Sequence, residues 1–170
     1  MATKWNLDPT HSEITFKVKH MMISNVKGSF RTFTAEIDAE DEFFANAKTT
    51  ATIQTDSVFT NNTDRDNHLK SAEFFNAETY PTITFESQQL NNQIVGNLTI
   101  NGITKPVELD VDFGGINVDP WGNTKAGFSF EGKISRKDFG LNWNAALEAG
   151  GVMVSDDVKI AGELQFVKQV

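Results

Sequence analysis

Apolar and polar residues alternate with a period of two along most of this 170-residue chain. Such alternation belongs to strands with one buried and one solvated face. Over 12–20, Ile14, Phe16, Val18 and His20 share one side, and Glu13, Thr15, Lys17 and Lys19 the other. Over 26–38 the phase is Val26, Gly28, Phe30 and then Phe33, Ala35, Ile37. The switch implies a bulge or sharp bend near Arg31-Thr32, the device by which a sheet turns the corner of a barrel. Further runs lie at 46–55, where Ala47, Thr49, Ala51, Ile53 and Thr55 leave space if they face inward, and after Pro81, with Ile83 and Phe85 in phase. Residues 93–100, 105–113, 124–134 and 157–167 complete a set of eight. Asn101-Gly102 is a hairpin turn signal, since both positions accept positive φ. Gly114-Gly115 and Asp119–Asn123 mark the next reversal, and the loop after Gly140 runs on to Gly150-Gly151.

One segment breaks the period. Residues 61–75 read as a helix, with Asn62 or Thr63 at its N-cap and Asp64 and Asp66 in the first turn, where the helix dipole favours negative charge. Its Leu69, Phe74 and Phe75 need an apolar surface to cover. Eight consecutive antiparallel strands and a lone helix fit an all-β fold: an up-and-down β-barrel with one short helix closing an end. A two-sheet sandwich is the structural alternative. The length suits one domain, residues 1–170.

The chain has no cysteine, which removes disulfides and thiolate chemistry. A net charge of -8 argues against nucleic acid and against anionic membrane surfaces. No apolar run reaches the ~20 residues of a membrane-spanning helix, and Met1–Asn6 carries no signal core. A cytoplasmic location is therefore expected, or a periplasmic one if a leader has been removed. Fourteen Phe against one Tyr and three Trp suggest a dry interior, since Phe has no polar atom to satisfy. Either a filled β core or a lined cavity fits that bias.

Several stretches together resemble the YceI-like family. They are Trp5–Ser12, Phe16–Ser24 with Val26–Phe30, Asp66–Phe75, Tyr80–Ser87, Gly96–Val107 and Arg136–Gly140, in the family's order. The resemblance implies a lipocalin-like barrel that binds an amphipathic isoprenoid, a polyprenyl chain or an isoprenoid quinone. It supplies no catalytic residues, and no cofactor is expected. On that reading the lining candidates are Phe16, Val18, Val26, Phe30, Ile53, Phe85, Leu98, Phe113, Phe128 and Phe130. His20, Arg65 and His68 are candidates to meet a polar head group. Three alternatives stay open: a haem or other hydrophobic small-molecule binder, a metal-dependent enzyme using His20 and His68, and a filled structural domain. A homodimer is also open.

Overall fold

The computed structural model describes residues 3–21, 23–44, 46–144 and 154–169. Its strands are β1 (Thr3–Leu7), β2 (Glu13–His20), β3 (Ser24–Phe30), β4 (Phe33–Ala39), β5 (Lys48–Gln54), β6 (Val58–Phe59), β7 (Thr82–Ser87), β8 (Gln93–Ile100), β9 (Ile103–Val118), β10 (Thr124–Ser135) and β11 (Val154–Lys168). The helix α1 spans Thr63–Lys70. Gly150-Gly151 and Met22 lie outside the described residues.

Strands β1, β4, β5, β7, β8, β9, β10 and β11 pair in that order, and β11 pairs back on β1. The ring is a closed, eight-stranded antiparallel barrel, as the alternation implies. Two pairs of strands are single runs broken in the middle. The chain bends at Arg31-Thr32 between β3 and β4, where the phase of apolar residues switches. Its partner run bends at 8–12, between β1 and β2. Strand β11 is long enough to hold both halves of that partner, Phe166–Lys168 against β1 and the stretch from Val154 to Glu163 against β2. On one side of the two bends β1 and β4 close the ring; on the other, β2 and β3 extend the sheet from β11, and β3 pairs on its far side with the two-residue β6. Residues 55–80 run from that edge to the cavity, and their side chains form part of its lining.

Three details differ from the sequence expectation. β1 is an additional strand: five residues with Trp5 buried give too short a pattern to read. β9 runs through Gly114-Gly115 to Val118, because a register shift opposite Gly127-Phe128 absorbs the pair, and the chain reverses only at 119–123. α1 is shorter than 61–75. Asn62 caps it, its side chain accepting from Arg65 N at 3.0 Å. Ser71 ends it in extended geometry, its Oγ donating to His68 O at 2.5 Å. The turns that follow bring Phe75 N back to Leu69 O, which turns Phe74 and Phe75 inward.

The bend at 8–12 has its own hub. The Asp8 carboxylate accepts from Thr10 N at 3.1 Å, Thr10 Oγ1 at 2.7 Å and Lys125 Nζ at 2.8 Å, and His11 Nδ1 lies at 2.8 Å. Lys125 first, then Thr10 and His11, hold Asp8 well below the usual carboxylate range against the opposing effect of burial.

Candidate functional site

The inward phase of each strand places its apolar residues around a cavity of about 360 Å³. Rings that point inward are not all buried: Phe16, Phe85 and Phe130 stay partly accessible because open space lies in front of them. Glycines on neighbouring strands make room for these rings. Gly28 stands opposite Phe16, and Gly162 opposite Phe130. A Cβ at either position, or at Gly96 beside Phe85, would overlap the ring. Each ring therefore lies against its neighbour strand and leaves the lumen clear.

The floor is solid. Trp5, Phe44, Phe113, Phe128 and Phe166 form a chain of ring contacts with centroids 5.1–5.9 Å apart. Phe44 enters from the β4–β5 connection with a left-handed backbone, φ 57°, which a bulky side chain seldom adopts. Its ring is nevertheless buried at the centre of this stack.

The mouth is made by irregular chain. Phe75 meets Phe30 edge to face at 5.7 Å. His68, Phe74 and Trp143 meet in a triangle with centroids 4.9–5.4 Å apart, joining the segment after α1 to the segment after β10. His68 Nε2 lies 2.8 Å from Glu73 Oε2. Arg65 donates from Nε to Thr60 Oγ1 at 2.8 Å and from Nη2 to Thr60 O at 2.5 Å. Asp66 accepts from Thr60 N and Oγ1. Arg65 is thus a partly committed cation at the rim, with Nη1 free of protein partners among the described residues.

Arg136 is the buried cation of the site. Its Nε donates to Ser155 O, Nη1 to Leu141 O and Trp143 O, and Nη2 to Val154 O, at 2.9–3.2 Å. Burial pushes its pKa down, with Asp156 opposing the shift. A guanidinium offers five donors in a fixed plane, and four here hold the chain on either side of the β10–β11 connection.

Of the residues expected at the site, Phe16, Val18, His20, Val26 and Phe30 line the cavity from β2 and β3. Ile53, Phe85 and Leu98 line it from β5, β7 and β8, and Phe128 and Phe130 from β10. Arg65 and His68 stand at the mouth. Phe113 departs from this set. Its parity on β9 is right, but it lies one pair past Val111, at the floor, stacked on Phe128 and 44% exposed. Arg136, Phe74, Phe75 and Trp143 line the cavity without having been singled out for it. The Arg136–Gly140 stretch carried a family resemblance but no sign of burial. Among the described residues no three His, Cys, Asp or Glu side chains gather as a metal site. His20 lines the β2 side of the mouth, while His68 is engaged with Phe74, Trp143 and Glu73.

Comparison with known proteins agrees with this architecture. The family model described as the YceI-like domain matches residues 5–166. A UPF0312 protein of Staphylococcus epidermidis is 44% identical over 166 residues, spanning 96% of this chain and 97% of that protein. The Campylobacter jejuni YCEI protein, 37% identical, has a TM-score of 0.75 over 89% of this chain and 90% of its own. A polyisoprenoid binding domain from Saccharophagus degradans shares the fold at 14% identity, with a TM-score of 0.74 over 97% and 98% of the two chains. With its sequence matched from Trp5 to Phe166 and its barrel shared with solved relatives, the chain belongs to the YceI-like family.

Proposed function

We propose that this protein is a carrier for an amphipathic isoprenoid, a polyprenyl chain or an isoprenoid quinone, with the chain in the barrel and the head group at the mouth. The observation that carries the reading is the distribution of polarity in the cavity. Its depth is lined by Phe, Ile, Leu and Val with Ala35, Ala51 and a single hydroxyl, Thr49, while its charged groups, Lys19, Arg65 and Arg136, and its histidines, His20 and His68, belong to the mouth. That gradient matches a molecule with an oily tail and a polar end. The structural likeness to a polyisoprenoid binding domain supports the same class of cargo.

The energetics are sufficient. Each buried CH₂ contributes about 0.8 kcal/mol, so a five-carbon isoprene unit contributes roughly 3–4 kcal/mol before ordering costs. Micromolar affinity needs about 8 kcal/mol, which a few units in a preformed apolar cavity supply. Phe16, Val18, Val26, Phe30, Ile53, Phe85, Leu98, Phe128 and Phe130 are the wall of this proposal. His20, Arg65 and His68 are its head-group contacts. Organic extraction of the purified protein followed by mass spectrometry, with uptake of a fluorescent polyprenyl probe by the emptied protein, tests it. Recovery of an isoprenoid and saturable uptake are expected. No lipid and no uptake would end the proposal.

A further inference from the structure

The outer wall beside the mouth carries a charge pattern that the cavity does not explain. In the strand register Lys27 stands opposite Lys17, Lys17 opposite Lys159, and Lys159 opposite Lys133. Four lysines therefore form one row across β3, β2, β11 and β10. Like charges directly opposite on neighbouring strands destabilise a sheet. Lys19 extends the basic surface towards the rim and is exposed. Among the described residues only Lys133 of these five has an ion-pair partner, Asp157 at 3.7 Å.

The hairpin that ends this wall is apolar at its tip. Ile23 is 81% exposed and Met21 40%. They follow directly on His20, a residue of the mouth, and precede Val26, another. A strand rise of about 3.3 Å per residue puts Lys17 and Lys27 about 13 Å from the tip, with Lys159 and Lys133 one and two strands further across. Exposed apolar side chains at a tip with a basic collar behind them are the composition of a bilayer-surface anchor.

The other end of the barrel also exposes rings, Phe43 and Trp121, each 84% accessible. Its charges are of the wrong kind. Phe43 follows Glu40-Asp41-Glu42 in sequence, and the Trp121 amide donates to Asp119. Three lysines there have carboxylates, Lys4 with Glu36, Lys125 with Asp8 and Lys168 with Glu42, and Lys48 stands opposite Asp38 in the register. The mouth has exposed carboxylates of its own, Asp64, Glu73 and Asp157, so the side that an anionic surface attracts is the lysine-bearing wall and its hairpin.

We propose that the β2–β3 hairpin and the lysine row dock the mouth of the barrel on a bilayer surface carrying anionic lipid. The choice of a bilayer over an acidic protein rests on the cargo reading above, since an isoprenoid resides in membranes. The net charge of -8 argues against anionic membranes only for the molecule as a whole. Charges act over about 8 Å at physiological salt, so Lys19, about 7 Å from the tip, acts most strongly and the row behind it adds a weaker pull.

The test is sedimentation of the full chain with vesicles, either pure phosphatidylcholine or phosphatidylcholine mixed with phosphatidylglycerol. Binding to the mixed vesicles only, weakened by added salt, is expected. Lys27→Gln with Lys159→Gln should lower that affinity roughly threefold, because the row stands about one screening length behind the inserted tip. Ile23→Ser should lower it about tenfold by removing the apolar anchor. None of these three residues lines the cavity. Thermal melting of the double variant should show no loss of stability, because it removes like-charge pairs. Equal binding to both vesicles, no binding to either, or unchanged affinity in the variants overturns the proposal. Polyprenyl-probe uptake run in parallel separates the two readings: uptake without anionic selectivity removes docking and leaves the carrier, and selectivity without uptake does the reverse.

Discussion

At the floor of the barrel five aromatic rings close on one another, and Lys4, Lys125 and Lys168 each have a carboxylate within reach. At the mouth, rings touch across irregular chain, a buried arginine holds backbone carbonyls, and of a row of four lysines only Lys133 has an ion-pair partner among the described residues, with Glu13, Asp110 and Glu131 sharing the same outer groove. Both ends are capped by aromatic residues, yet only the floor is filled. The contrast separates two tasks. Packing density at one end supplies cooperativity, and the other end keeps an opening whose groups have interactions to spare.

The largest expected effect lies in the floor. Phe128→Asp places a carboxylate among Phe44, Phe113 and Phe166 and should destabilise by more than about 4 kcal/mol, enough to unfold the protein. Phe75→Ala at the mouth removes a ring that already borders open space, and should cost about 1–2 kcal/mol. Urea unfolding of both variants checks the comparison, and equal losses would break it.

Acid should separate the two ends as well. Because Asp8 ionises well below its unfolded value, its contribution is whole above about pH 4 and is lost as pH falls towards the folded value. Asp8→Asn should cost about 2 kcal/mol at neutral pH, and the gap to the parent should close on acidification. A gap that stays constant to pH 2 would deny the hub its charge-dependent role.

Much of this contrast is legible in sequence, and the rest fails for identifiable reasons. The bend at Arg31-Thr32 shows as a phase switch. The Asn101-Gly102 hairpin shows as a turn signal, and both residues adopt positive φ, 55° and 73°. Local chemistry fixes these. The lysine row does not show, because each lysine is an ordinary outer-face residue on its own strand and only register aligns them. Nothing in the sequence marks Arg136 as buried, because its partners are backbone carbonyls, Leu141 and Trp143 in irregular chain and Val154 and Ser155 at the start of β11. Phe113 has the right parity at the wrong height, since alternation gives the face of a strand but not the depth along the barrel.

The smallest substitution proposed acts on the wall between the two ends. Gly162→Ala should cost about 1 kcal/mol, because the Phe130 ring must leave its resting place and swing into the lumen. Affinity for a polyprenyl probe should fall far more than stability does, measured by titration beside a melt. Positions with no side chain thus set the gauge of the vessel. A single methyl group, set back from the mouth, would decide how stout a guest can be admitted.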